Sequence, residues 1–290
     1  MSVEAQDLGI AAVVDATPFQ ANERARLVTV AGIAASLGRT LRSLAIALSV
    51  PAALVALWTL SARFGWLPSQ ILPDPAFVAG TFREFVATGD LAFHTTISLQ
   101  RLLLGYTIGA SLGLLLGIGT GLSRSFQDYV DPLFLAFAQI PSLGWIPFVM
   151  LFVGIDETLK VIIIAKAAFV PVALNTGKGI RNVPESYLEV GRVLTFGPFL
   201  RLTKIILPAA VPPIFTGIRY GLTHAWMALV AVELIASSEG LGYLTVWGRQ
   251  LFQLDILIVA MIVIGVIGFI LDRSLSLIER RLDRWKIGVA

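Results

Sequence analysis

The chain has 290 residues, 56% of them hydrophobic and only 14% charged, with a mean hydropathy of +0.82. A soluble chain carries about 25% charge; no aqueous globule hides so much apolar side chain, and a disordered chain is excluded by the same figures, so lipid is the solvent for much of the protein. The formal charge of +3 is too small to mark a nucleic-acid binder, and the absence of cysteine, with only His94 and His224 as histidines, rules out a disulfide framework and a cysteine nucleophile and leaves almost nothing to ligate a metal.

Six stretches meet the requirement of roughly 20 mostly apolar residues for crossing a bilayer: 43–62, 97–122, 129–153, 158–177, 210–236 and 254–273. The sequence therefore predicts an all-α polytopic membrane protein with six transmembrane helices. The region before the first span, 1–42, lacks the basic segment, apolar segment and cleavage site of a signal peptide. It reads as a cytoplasmic tail with an interfacial helix at 27–35, and 274–290 reads as a second tail. With both termini in the cytoplasm, the inner segments hold 15 Lys and Arg and the outer segments 4, the asymmetry of the positive-inside rule.

Between the first two spans, 68–93 contains an amphipathic helix after Asp74-Pro75, with Phe77, Phe82 and Phe85 near helical spacing against membrane or neighbouring spans. The second span carries Gly105, Gly109, Gly113, Gly117 and Gly121. At four-residue spacing they form a groove that lets another helix approach closely. In the third span Pro141 and Pro147 flank Trp145. Each proline removes a helix N–H and clashes with the preceding turn, so this segment is expected to be kinked or unwound. Broken helices persist in a bilayer where protein or a cavity satisfies the freed backbone. Residues 140–147 are thus the first choice for lining a translocation path, with Trp145 as gate or stacking platform and Gln139 beside it. A plain packing kink is the other reading.

Lys166 falls near the middle of the fourth span, where a charge costs at least about 2.5–3.5 kcal/mol on insertion scales. Two readings stand: a contact for an anion at the midplane, or a lysine that snorkels or pairs with a carboxylate such as Glu233. In the fifth span Arg219 reads as snorkelling to headgroups, and the deeper His224 as a path residue or a packing histidine. Gly240, Gly242 and Tyr243 suggest a compact re-entrant turn in the outer loop. No G-x-x-x-x-G-K-[ST] or H-E-x-x-H occurs, so an enzyme reading has no constellation to rest on.

The most polar stretch between two spans is 178–209. Its core runs Glu189-Val190-Gly191-Arg192, then Thr195-Phe196-Gly197, and closes on Ile205-Ile206-Leu207-Pro208. This reads as a short helix that begins near Glu189, where a carboxylate suits the positive helix end, and stops at the Leu207-Pro208 pair. The stretch resembles the cytoplasmic EAA loop of ABC importer permeases, in which Glu-Ala-Ala is followed after three residues by Gly and after nine more by Ile-x-Leu-Pro. Val190-Gly191 stands in place of Ala-Ala, and Thr195 where the pattern has Gly; Gly197, two residues on, suggests a shifted turn. Ile140-Pro141-Ser142-Leu143-Gly144-Trp145-Ile146-Pro147, the run from Phe152 to Lys160, and Val232-Glu233-Leu234-Ile235-Ala236 with Gly240-Leu241-Gly242-Tyr243 are similar to elements of the sulfonate, taurine and nitrate branch of that family. The likeness covers about 68–286, in order and at matching spacing.

The resemblance implies a type I ABC importer permease (MetI-like) fold and a non-catalytic transport role in a bacterial inner membrane. It implies coupling to two cytoplasmic ABC ATPase subunits through Glu189, Val190, Gly191, Thr195, Gly197, Leu207 and Pro208. A second permease copy, a periplasmic or lipid-anchored substrate-binding protein, and ATP and Mg held by the ATPase partner come with it; no cofactor or metal is expected on this chain, and no nucleic acid. The translocation path is assigned to Gln139, Pro141, Trp145, Lys166 and His224, and the cargo to a small sulfonate-like organic anion. Nitrate, taurine, bicarbonate or an aromatic acid fit the same role. A gradient-driven secondary transporter is the competing class, though it requires internal repeats, which the two halves lack.

Overall fold

A computed structural model describes residues 42, 45, 46 and 48–283, helical wherever regular and, among the described residues, without a strand. Residues 1–41 of the expected tail 1–42, with the interfacial helix at 27–35, and residues 284–290 lie outside the described residues. The chain divides into two units, Met1–Leu67 and Pro68–Ala290. In the first, α1 (Leu48–Phe64) falls on the expected first span, and its apolar side chains, Leu54 and Phe64 among them, are exposed.

The second unit begins with α2 (Pro75–Thr88). Asp74 caps it, its carboxylate accepting from the Ala76 N–H at 2.7 Å, and Pro75 occupies the first turn, where a missing N–H costs nothing. Val78 and Thr81 are buried while Phe77 and Phe82 face outward; of the expected aromatic stripe only Phe85 joins the core. Gly89, in the left-handed conformation, turns the chain into α3 (Asp90–Leu122). After α4 (Arg124–Gln139) comes a 3-10 turn, Ser142–Trp145, then α5 (Ile146–Val153) and α6 (Glu157–Arg181).

α6 is the centre of this unit. Twelve of its 25 residues are buried, against α3 on one side and α9 (Leu207–Ala236) on the other. The glycine groove is what makes the first packing possible. A methyl group at Gly105, Gly109, Gly113, Gly117 or Gly121 would strike Ile164, the Ala165 backbone, Val172, Thr176 or Ile180 of α6. The expected close helix approach is therefore borne out residue by residue.

The inner stretch contains α7 (Glu185–Val193), α8 (Pro198–Arg201) and a π-turn, Leu202–Ile206, that runs straight into α9. The helix expected to stop at Leu207-Pro208 does not do so. Pro198 to Ala236 is one continuous 39-residue helix, because Pro208 sits in the first turn of α9 and the π-turn absorbs the hydrogen bond it cannot make. α10 (Leu241–Gln250) and α11 (Leu254–Asp283) complete the unit, with α11 extending past the expected boundary at 273.

Among the described residues, three helices are long and apolar enough to cross a membrane: Asp90–Leu122, Pro198–Ala236 and Leu254–Leu282. A fourth candidate is the pair Arg124–Gln139 and Ser142–Val153, bent by 91° at their junction. The expected third span is thus broken where its prolines placed the break, and the expected fourth lies within α6.

Candidate functional site

The break between α4 and α5 is built by Pro141, which cannot donate to continue α4, and leaves the Ile140 carbonyl at the helix end. Lys166 of α6 donates to that carbonyl through its ammonium, which also stands 5.2 Å above the Phe137 ring. A cation at a helix C-terminus complements the partial negative charge there. Of the readings the sequence offered, the carboxylate pair with Glu233 is not formed; Lys166 meets a main-chain carbonyl and an aromatic face. Trp145 packs on Phe137 with ring centres 5.0 Å apart and edge-on to Phe148 at 5.7 Å. Its buried indole N–H has no hydrogen-bond partner among the described residues. Phe137 thus links Lys166 and Trp145 into one cluster beside Pro141. Gln139 is exposed. His224 stands apart on α9, its Nδ1 donating to the Tyr220 carbonyl one turn back at 2.9 Å.

A second cluster, at the end of the unit that carries α10, was not legible as such. Arg101 of α3 holds Glu157 through two bonds of 2.7 Å and Glu233 through one of 2.8 Å, and also donates to the Glu239 carbonyl. Lys160 joins Glu157 at 2.6 Å. The carboxylate of Glu233, 1% exposed, further accepts from Ser98 Oγ and from the Gly242 N–H at 2.9 Å. Glu233 therefore pairs with Arg101, not with Lys166, because its helix turns it toward α3. The same group roots the re-entrant turn. Ser98 Oγ accepts from the Leu241 N–H, and His94 Nδ1 from Gly240, whose φ of +109° only glycine adopts readily. The three first N–H groups of this turn, which no carbonyl of α10 can reach, are all satisfied.

Arg219 does not snorkel. It grips Asp272 of α11 at 2.9 and 3.0 Å and Glu279 at 2.7 Å, since two carboxylates a helical turn or two apart on the facing helix outcompete distant headgroups.

In the inner stretch, Glu185 and not Glu189 occupies the first turn of α7, paired with Arg192 at 2.6 Å. Glu189 is exposed one turn later, as is Val190. Gly191 is buried, and a methyl group there would press on Ile205 of the π-turn and on Arg201. Past Val193 the chain closes a Schellman turn: the Thr195 N–H donates to the Arg192 carbonyl at 3.0 Å and the Phe196 N–H to Gly191 at 2.9 Å. Thr195 takes the left-handed conformation itself, at φ +52°, while Gly197 is extended at φ −62°, ψ 163°. The turn is thus not shifted to Gly197; its hydrogen bonds fix the position, whatever residue stands there. Val193 (82% exposed) and Phe199 (78%) flank it as bare apolar side chains.

Residues 109–284 match the family model of the binding-protein-dependent transport system inner membrane component. The chain belongs to this family of membrane permeases. The putative aliphatic sulfonates transport permease of Bacillus subtilis is 39% identical to the permease described here over 239 residues, covering 82% of this chain and 87% of that one. Its Escherichia coli counterpart is 37% identical over 236 residues, covering 81% and 90%. The taurine transport system permease of Escherichia coli is 32% identical over 243 residues, covering 84% and 88%. These likenesses place the permease in the sulfonate and taurine branch expected from its motifs. Among solved structures, the inward-facing methionine ABC transporter MetNI superposes with a TM-score of 0.56 at 16% identity, over 64% of this chain and 92% of that one. That likeness establishes the MetI-like fold. The matched region runs from the glycine groove through α11 and takes in the break, Glu233 and α7.

Proposed function

We propose that this permease lines the path of an ATP-driven importer for a small, sulfonate-like organic anion, working by alternating access. The observation that carries the reading is the ammonium of Lys166, held at the broken helix beside Trp145, in a chain 39% identical to an aliphatic sulfonates permease. Gln139, Pro141 and His224 complete the proposed path. The exposed face of α7, with Glu189, Val190, Val193 and the Thr195 turn, receives a cytoplasmic ABC ATPase; Gly191, Gly197, Leu207 and Pro208 set its position. Two permease copies and two ATPases form the assembly, ATP and Mg stay on the ATPases, and a periplasmic or lipid-anchored binding protein delivers the cargo. Both termini lie in the cytoplasm of a bacterium whose inner membrane holds the complex. This chain contributes a moving path and no chemistry of its own.

Taurine, itself a sulfonate with an added amine, is the second reading, supported by the taurine permease among the relatives. Uptake by cells that express the permease with its ATPase and binding protein tests both. Accumulation of a labelled alkanesulfonate that ceases when the ATPase is omitted is the expected result. Uptake that persists without the ATPase and follows a proton or sodium gradient overturns the importer reading.

A further inference from the structure

At the end of the unit that carries α7, a half-open cleft lies between the last two turns of α3, the middle of α4 and the last turns of α6. Its inner walls are apolar, formed by Leu116, Phe134, Leu135 and Leu174. Its rim is charged. Arg181 donates to the Thr120 carbonyl at 3.1 Å, which fixes the guanidinium at the mouth. Lys178, exposed on the same helix edge, has no partner among the described residues. Asp131 is the one carboxylate of the rim, and the Gln127 amide donates to it at 2.8 Å. Two cations thus face one occupied carboxylate, above a greasy slot.

We propose that this cleft binds an anionic phospholipid, with the phosphate on Lys178 and Arg181 and the start of an acyl chain along Leu135 and Phe134. Position and polarity both argue for it. Arg181 ends α6 and Thr120 lies just before the end of α3, so the rim sits where apolar helices give way to the interface and headgroups lie. Basic pockets between membrane helices hold anionic headgroups in this way. A free phosphate satisfies the rim but leaves the apolar walls bare, so the amphiphile matches more of the cleft. The site also abuts the coupling segment: Asn182–Pro184 alone separate Arg181 from α7. A lipid held there lies against the segment that leads into α7.

The full-length permease, purified in detergent and stripped of lipid, is titrated by native mass spectrometry with phosphatidylglycerol and with phosphatidylethanolamine of the same acyl chains. One phosphatidylglycerol per chain is expected to persist in preference to phosphatidylethanolamine. Lys178→Ala weakens it about fivefold, the worth of one cation near a membrane surface, and Lys178→Arg keeps it. Leu135→Gln weakens the lipid while leaving the binding of glycerol phosphate itself unchanged. Equal retention of both lipids, or indifference to Lys178→Ala in a variant of unaltered circular dichroism, overturns the proposal. Displacement by glycerol phosphate at concentrations comparable to the lipid's also overturns it, because the cleft then takes phosphate alone.

Discussion

Thr195 holds a left-handed backbone that its β-branched side chain disfavours by about 1–2 kcal/mol. Thr195→Gly is therefore expected to raise the stability of α7 and its turn by about 1 kcal/mol, read as a rise in thermal midpoint of the detergent-purified protein. Gly197→Ala, in extended backbone with open space around it, is expected to change nothing, and a loss there with no gain at Thr195 returns the turn to Gly197. Lys166 carries a different prediction. Lys166→Met removes the ammonium but keeps the stem, so the chain still inserts while ATPase-dependent uptake of the anion falls at least tenfold. Uptake at wild-type level removes Lys166 from the path. The sequence marks Lys166 as an intramembrane charge, but its acceptor is a main-chain carbonyl freed by a break 26 residues away, and no residue type signals a carbonyl.

At the scale of helices, the contact of α3 with α6 rests on bare backbone. Gly109→Val drives a side chain into the Ala165 backbone, and overpacking of this kind costs about 1–3 kcal/mol. Gly80→Ala in α2 meets nothing within 4 Å and is expected to stabilise its helix by about 0.5–1 kcal/mol. Measuring both by thermal unfolding separates packing from propensity; equal effects sink the groove as the cause. This contact was legible because a four-residue glycine repeat has one helical meaning. The continuity of α8 with α9 was not. Leu207-Pro208 reads as a stop, and only the π-turn before it, a hydrogen-bond shift with no residue signature, lets the helix run on.

In the whole second unit, the Arg101 cluster ties α3, α6, α9 and the α10 turn together at one end. Removing one member of a buried ion pair strands the other charge, at about 3–5 kcal/mol. Arg101→Met is thus expected to unfold this end and to lower the thermal midpoint sharply, while Arg101→Met with Glu233→Gln recovers part of the loss. A double variant no more stable than Arg101→Met argues that the pair is not coupled. The spans that fall in α3, α9 and α11, the glycine groove and the proline break were readable because each follows from local spacing. Arg101 and Glu233 stand 132 residues apart, and one sequence holds nothing that pairs them. Separations of 53 and 60 residues likewise hid the pairing of Arg219 with Asp272 and Glu279.

The π-turn at Leu202–Ile206 holds one residue more than an α-turn needs. Each helical residue advances the helix by about 100° and 1.5 Å, so that single surplus residue sets the phase of everything joined to α9 on its far side. Deleting Thr203 would restore a uniform α-helix and swing α8, with α7 docked on it at Gly191, about a quarter turn around the axis. The direction in which Glu189 and Val193 point is therefore not written in α7. It is a register, stored two segments downstream in the winding of the helix that follows.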